Sequence, residues 1–165
     1  MEGQRFIHKI KLQNFLSYGS DGEEIELQPL NVLIGRNTSG KSNLIEAINI
    51  LKATPIDLPA PFRQGGGIKE FLWKGKGSNS IANIEIILNY PERHGKNLHY
   101  KLSLTEVGQR LELVDEFLQN KEPYEGQEDL YFYYRYQNGR PVLNINKLTE
   151  DGKTFERNLR REDLI

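Results

Sequence analysis

Cysteine is absent from this 165-residue sequence, and methionine and tryptophan occur once each. Without a thiol the chain can form no disulfide, no thiolate metal site and no cysteine nucleophile. An excess of either charge is missing too: 22 Lys and Arg stand against 23 Asp and Glu, a net charge of −1. The sequence therefore has no global basic field of the kind that attracts nucleic acid, although a local patch is compatible with that balance. No apolar run approaches the roughly 20 residues of a membrane span. The opening MEGQRFIHKIKL lacks the unbroken apolar core of a signal peptide. These absences lead to the expectation of a soluble, cytoplasmic domain with no membrane partner. Hydrophobic residues make up only 37% of the chain, but Phe, Tyr, Leu and Ile fall in organised runs, which a disordered chain does not show. The length suits one domain and leaves no room for two.

Two hydrophobic periods divide the sequence. Residues 5–14 (RFIHKIKLQN) alternate, with Phe6, His8, Ile10 and Leu12 on one side, the period of a half-buried strand. A turn cluster at 17–22 and a short run at 24–27 predict a hairpin. Residues 30–34 (LNVLI) are almost continuously apolar up to Gly35, as expected of a strand buried on both faces. From Lys41 the period becomes helical, with a predicted apolar stripe of Leu44, Ile45, Ile48 and Leu51 ending before Pro55. Pro55, Pro59, Pro61 and glycines 65–67 predict a loop over 54–67, followed by a short amphipathic turn at 68–73. Strand-like runs then recur at 81–90, 98–106, 110–118, 130–137 and 141–145, with turn residues between them. They form an antiparallel meander in which Asn138-Gly139 favours a tight hairpin. The expected organisation is one lobe over 1–165: a phosphate-loop unit at 1–53, a loop at 54–67 and a β-rich meander at 68–165.

One motif carries chemistry. Gly35-Arg36-Asn37-Thr38-Ser39-Gly40-Lys41-Ser42 fits GxxxxGK[ST]. Gly35 lets the chain leave a strand sharply, and Gly40 lets backbone approach a phosphate without a side chain between. Successive loop amides line an anion site at the positive end of the following helix. Lys41 supplies an ammonium for the β- and γ-phosphates, and Ser42 a hydroxyl for Mg²⁺. By average residue frequencies, the four specified positions match by chance in about one chain in 200 of this length. Here the match also follows a β-run and opens a helix, the setting its physics requires.

The stretch IKLQNFLSYGSDGEEIELQPLNVLIGRNTSGKSNLIEAINIL resembles the N-terminal lobe of an ABC-type ATPase head of the SMC, RecF and OLD-like group, an AAA-family P-loop ATPase. RQGGGIKEFLWKGKGSNSIANIEIILNY resembles the segment that follows the first helix in such heads. The resemblance, which covers residues 6–90, implies an α/β fold in which a P-loop NTPase-like lobe (strand, P-loop, helix) carries an antiparallel β-rich subdomain. It implies ATP and Mg²⁺ as cofactors, held by Gly35, Asn37, Thr38, Ser39, Gly40, Lys41, Ser42 and Asn43, with Ser42 on the metal. It places Asn14, Phe15 and Ser17 near the nucleotide base. It also implies a second head as partner in a homodimer closing over two nucleotides, with DNA a further partner class. Transporter subunits, OLD-like nucleases and ATP-binding modules that have lost hydrolysis are alternative settings for such a lobe.

Two hydrolytic elements of those heads are not evident. No LSGGQ-like signature occurs in the sequence. Leu111-Glu112-Leu113-Val114-Asp115-Glu116 imitates a Walker B strand, which would make Asp115 and Glu116 catalytic, but Glu112 interrupts the apolar run. A meander strand with an exposed acidic end is the preferred reading, and the chain is expected to be half a head. The remaining features favour structural roles. The aromatic run 131–136 suits a strand packed on both sides. Arg63, Lys69, Lys74 and Lys76 suit a solvated rim, and Arg157, Arg160 and Arg161 alternate with acids. His8, His94 and His99 lack metal-ligand spacing, and Trp73 suits a core anchor.

Overall fold

A computed structural model describes residues 5–37, 39–75, 81–89, 97–137 and 139–144. Seven strands form one antiparallel sheet: β1 (Ile7–Gln13), β2 (Glu23–Glu26), β3 (Ala82–Leu88), β4 (Leu98–Val107), β5 (Arg110–Asn120), β6 (Phe132–Gln137) and β7 (Arg140–Leu143). Their spatial order is β2-β1-β3-β4-β5-β6-β7. The predicted hairpin is present as β1–β2, and β1 also pairs with β3, so the opening strand and the meander share one sheet. Two helices, α1 (Lys41–Asp57) and α2 (Pro59–Gln64), and a 3₁₀ turn (Ile68–Glu70) lie between β2 and β3. The fold is therefore mixed α/β, with a large antiparallel sheet.

Alternation along the strands creates the core. Register aligns Ile10 with Ile86 and Tyr100, and Leu12 with Ile84 and Leu102. These rows join Leu44, Ala47 and Ile50 of α1 in a single buried cluster that includes Phe15, Phe62 and Phe71. Burying each large aliphatic or aromatic side chain stabilises the fold by about 1.5–3 kcal/mol. The opposite face is polar. Asn83 donates to Gln13 and accepts from the Ser103 hydroxyl, and Glu85 pairs with His99.

Four local expectations are corrected. Residues 30–34 form no strand, and Leu30, Val32 and Ile34 are 83%, 76% and 89% exposed. A doubly buried strand needs neighbours on both edges, and the described residues provide none. The buried stripe of α1 is Leu44, Ala47 and Ile50, leaving Ile45 and Ile48 exposed. The helix also runs through Pro55 instead of stopping before it. Proline cannot donate to the carbonyl four residues back, but here the Thr54 hydroxyl donates to the Leu51 carbonyl at 2.8 Å. The predicted 54–67 loop is instead the end of α1 plus α2, because Pro59 sits at the first turn of α2, where a missing N–H costs nothing.

Candidate functional site

The phosphate-loop motif connects the exposed 30–34 run to the first turn of α1. Gly40 is the N-cap, with φ +79°, a left-handed conformation that glycine adopts without strain. No side chain caps this helix start, and no acid lies in its first turn. Its leading amides thus lack the usual competitor for an anion. Lys41 Nζ is turned back into the loop and donates to the carbonyls of Gly35 (2.7 Å) and Arg36 (2.6 Å) and to Ser39 Oγ (3.1 Å). A Cβ at Gly35 would meet Ser39 Oγ at 2.6 Å, so a larger residue there would push the Ser39 hydroxyl off its place beside Lys41. Asn37 and Ser42 are exposed, and Thr38 lies outside the described residues. A groove of about 590 Å³ opens beside Ser42, lined among others by Asn43, Glu46, Gln64 and Glu70.

The arrangement fits a polyphosphate. An ammonium held only by neutral oxygens can exchange those partners for phosphate oxygens, and an uncapped helix start adds amide donors. The Ser42 hydroxyl can take a place on a magnesium ion. Acidic ligands are not clustered nearby, since the described residues contain no group of three or more His, Asp or Glu side chains placed to hold a metal.

An AAA ATPase domain model matches residues 6–159. The chain belongs to that family. Among curated proteins this AAA ATPase domain is similar to the DNA replication and repair protein RecF of Listeria monocytogenes, in three strains, at 28% identity over 106 residues. That alignment takes in 63% of this chain and 25% of RecF, so the chain spans about a quarter of the length of the curated relatives it matches. A solved structure described as "Structural biochemistry of ATP-driven dimerization and DNA stimulated activation of SMC ATPases" aligns at 23% identity with a TM-score of 0.48, covering 65% of this chain and 72% of that one. Among the described residues of the AAA ATPase domain, no helix is long and apolar enough to cross a membrane.

Other sequence candidates are placed differently. Phe15, expected near the nucleotide base, is 1% exposed in the core, and the Asn14 amide donates to the Ile81 carbonyl. Asp115 and Glu116 lie within β5 and not at an exposed end. Asp115 pairs with Lys101 at 3.3 Å. Glu116 accepts hydrogen bonds from the Tyr100 (2.6 Å) and Tyr134 (2.9 Å) hydroxyls. Burial foremost, and the Glu116 charge after it, push both phenols well above their usual range. The basic rim is partly neutralised, with Arg63 on Asp57 and Lys74 on Glu70. The half-buried Trp73 ring closes over Gly75, and residues 131–136 are half-buried throughout. Lys76, His94, Asn138, Arg157, Arg160 and Arg161 lie outside the described residues.

Sequence reasoning missed the contacts that join the β1–β2 turn to the phosphate loop. Tyr18 donates to the Gly40 carbonyl at 3.2 Å, and Asn43 Nδ2 donates to Ser17 Oγ at 2.8 Å. Nothing in the spacing of residues 17 and 18 announces either partner.

Proposed function

We propose that this chain is the ATP-binding lobe of an SMC- or RecF-like ATPase head. ATP is held by the loop amides, Lys41 and Asn43, with Mg²⁺ on Ser42. The observation that carries this reading is the Lys41 ammonium enclosed by loop oxygens at an uncapped helix start. When bound, Mg²⁺ supplies charge neutralisation between phosphate oxygens. The chain's own residues bind and orient the triphosphate.

In the whole protein two such heads close face to face over two nucleotides, and hydrolysis reopens them. The exposed run 30–34, together with Ile45 and Ile48 of α1, is the apolar surface that the second lobe of the head covers. The likeness to RecF, named for DNA replication and repair, supports a DNA-related process. By itself the lobe binds nucleotide weakly and turns over negligibly, since no described carboxylate cluster is available to the metal.

Lys41→Ala tests the site. Binding of a fluorescent ATP analogue or of ATP by calorimetry is expected to collapse, by tenfold or more on the scale of a lost charge-assisted contact. Unchanged binding would show that the loop is not the nucleotide site.

A further inference from the structure

The turn between β1 and β2 is the most strained segment of the described chain. Asn14 (φ +52°) and Leu16 (φ +49°) are non-glycine residues in the left-handed region; among the described residues only Gln109, in the β4–β5 turn, joins them. Each such residue costs about 1–2 kcal/mol, and Leu16 has no short polar side chain to offset it. Strain of this kind persists only where surrounding contacts over-determine the backbone. Here they do. Asn14 N–H donates to the Gly19 carbonyl, Phe15 and Tyr18 exchange backbone bonds, and Leu16 N–H donates to the Phe71 carbonyl at 2.7 Å. Trp73 N–H closes the set on the Asn14 carbonyl.

What this rigid turn presents is aimed at the phosphate loop. Tyr18, 5% exposed, places its hydroxyl on the Gly40 carbonyl, and Ser17 Oγ accepts from Asn43. A Cβ on Gly40 would lie 3.0 Å from Ser17 Oγ and 3.5 Å from the Tyr18 hydroxyl. The glycine therefore admits the turn as well as a ligand. The Gly40 carbonyl belongs to the same peptide unit as the Lys41 N–H, and it also accepts the first helical bond from Leu44 N–H at 3.1 Å. Two donors on one carbonyl fix the plane of that peptide and polarise it, strengthening its N–H as a donor to an anion.

We propose that the strained 14–19 turn is a brace for the phosphate loop, with Tyr18 and Ser17 as positioning residues that hold the Gly40–Lys41 peptide and the start of α1 in the anion-binding arrangement. The idea rests on the nucleotide-binding reading above and adds a route by which the segment at 68–73 acts on nucleotide affinity, through Leu16 and Phe71. Burial raises the Tyr18 phenol above its usual range, so the hydroxyl, a donor at neutral pH in any case, stays one further into the alkaline range.

The test compares wild type, Tyr18→Phe and Lys41→Ala in the purified protein, with ATP and inorganic tripolyphosphate as ligands. Tyr18→Phe is expected to weaken both ligands equally, by about five- to tenfold, and to shift the ¹⁵N resonance of the Lys41 amide without ligand. Equal loss locates the effect at the phosphates and not at the base. A tyrosine that merely stabilised the fold would lower Tm and leave Kd, measured well below Tm, unchanged; that result overturns the brace. So does a loss for ATP alone. If Tyr18→Phe does not fold, Ser17→Ala, which frees Asn43 from the same turn, is held to the same criteria at a two- to threefold loss, about half a net hydrogen bond. Binding abolished by Lys41→Ala but untouched by the turn variants refutes the brace alone. Binding untouched by Lys41→Ala refutes the nucleotide site and the brace with it.

Discussion

Tyr100→Phe removes one of the two hydroxyls that donate to Glu116 on the core-facing side of the sheet. Glu116 stands in register with Leu102, a position where an unpartnered carboxylate is costly. Hydrogen bonds to a charged group contribute about 1.5–3 kcal/mol. Tyr134 still donates to the other carboxylate oxygen, so the lower end, about 1.5–2 kcal/mol, is expected. For a domain of this size that is a fall in Tm of roughly 3–8 °C. The pH dependence supplies an independent check. Both phenols have folded-state pKa values raised above their ordinary 10.0, first by burial and then by Glu116. A raised pKa gives stability that is fully present below the unfolded-state value and is lost as pH climbs towards the folded one. Wild-type stability should therefore hold steady up to about pH 10, the ordinary tyrosine value. Above it stability should fall, by at most about 1.4 kcal/mol per pH unit for each tyrosine. Urea unfolding followed by circular dichroism from pH 8 to 11 measures this directly. Tyr100→Phe should lower the neutral plateau and flatten the alkaline fall. A variant with wild-type stability and an unchanged alkaline slope would mean that the Tyr100–Glu116 contact is not a feature of the folded state.

Thr54→Val should destabilise the protein by about 1 kcal/mol through the unpaired Leu51 carbonyl; thermal unfolding should show a smaller loss when the same change is made beside Pro55→Ala, which restores a backbone donor. On the polar face, the His99 hydrogen bond holds the Glu85 carboxyl below its usual 4.5. A depressed carboxyl contributes stability above its unfolded-state pKa and loses it as pH falls through the folded value, so Glu85→Gln should lower stability at pH 7 and have progressively less effect below pH 4.5. Chemical denaturation at pH 7 and pH 3 distinguishes this from a pH-independent loss.

Elements whose residues carry their own instructions were legible in the sequence. Alternation located β1, and strand-like runs divided by turn residues located β3 and β4, because these strands bury apolar residues against neighbours within the chain. The opening of α1 at Lys41 behind a left-handed Gly40 was legible because the glycines of the motif answer to local backbone geometry. Residues 30–34 misled because continuous apolarity does not say whether the chain supplies neighbouring strands to bury a segment, and Leu30, Val32 and Ile34 are exposed. Pro55 misled because a breaker's cost depends on the carbonyl it orphans, and the neighbouring threonine hydroxyl satisfies it. Asp115 and Glu116 resembled a catalytic pair because an apolar strand with acids reads the same whether the acids meet a metal or, as here, a lysine and two tyrosines. The Tyr18–Gly40 contact spans 22 positions, beyond the reach of local spacing.

Among the described residues, both margins of the sheet are poor templates. At one side lies β2, four residues reading EEIE; at the other lies β7, four residues with Pro141 among them. Short length, like charge and a missing amide each discourage a stranger's backbone from docking there. Ribbon-to-ribbon growth with another polypeptide is therefore disfavoured at both of these described margins.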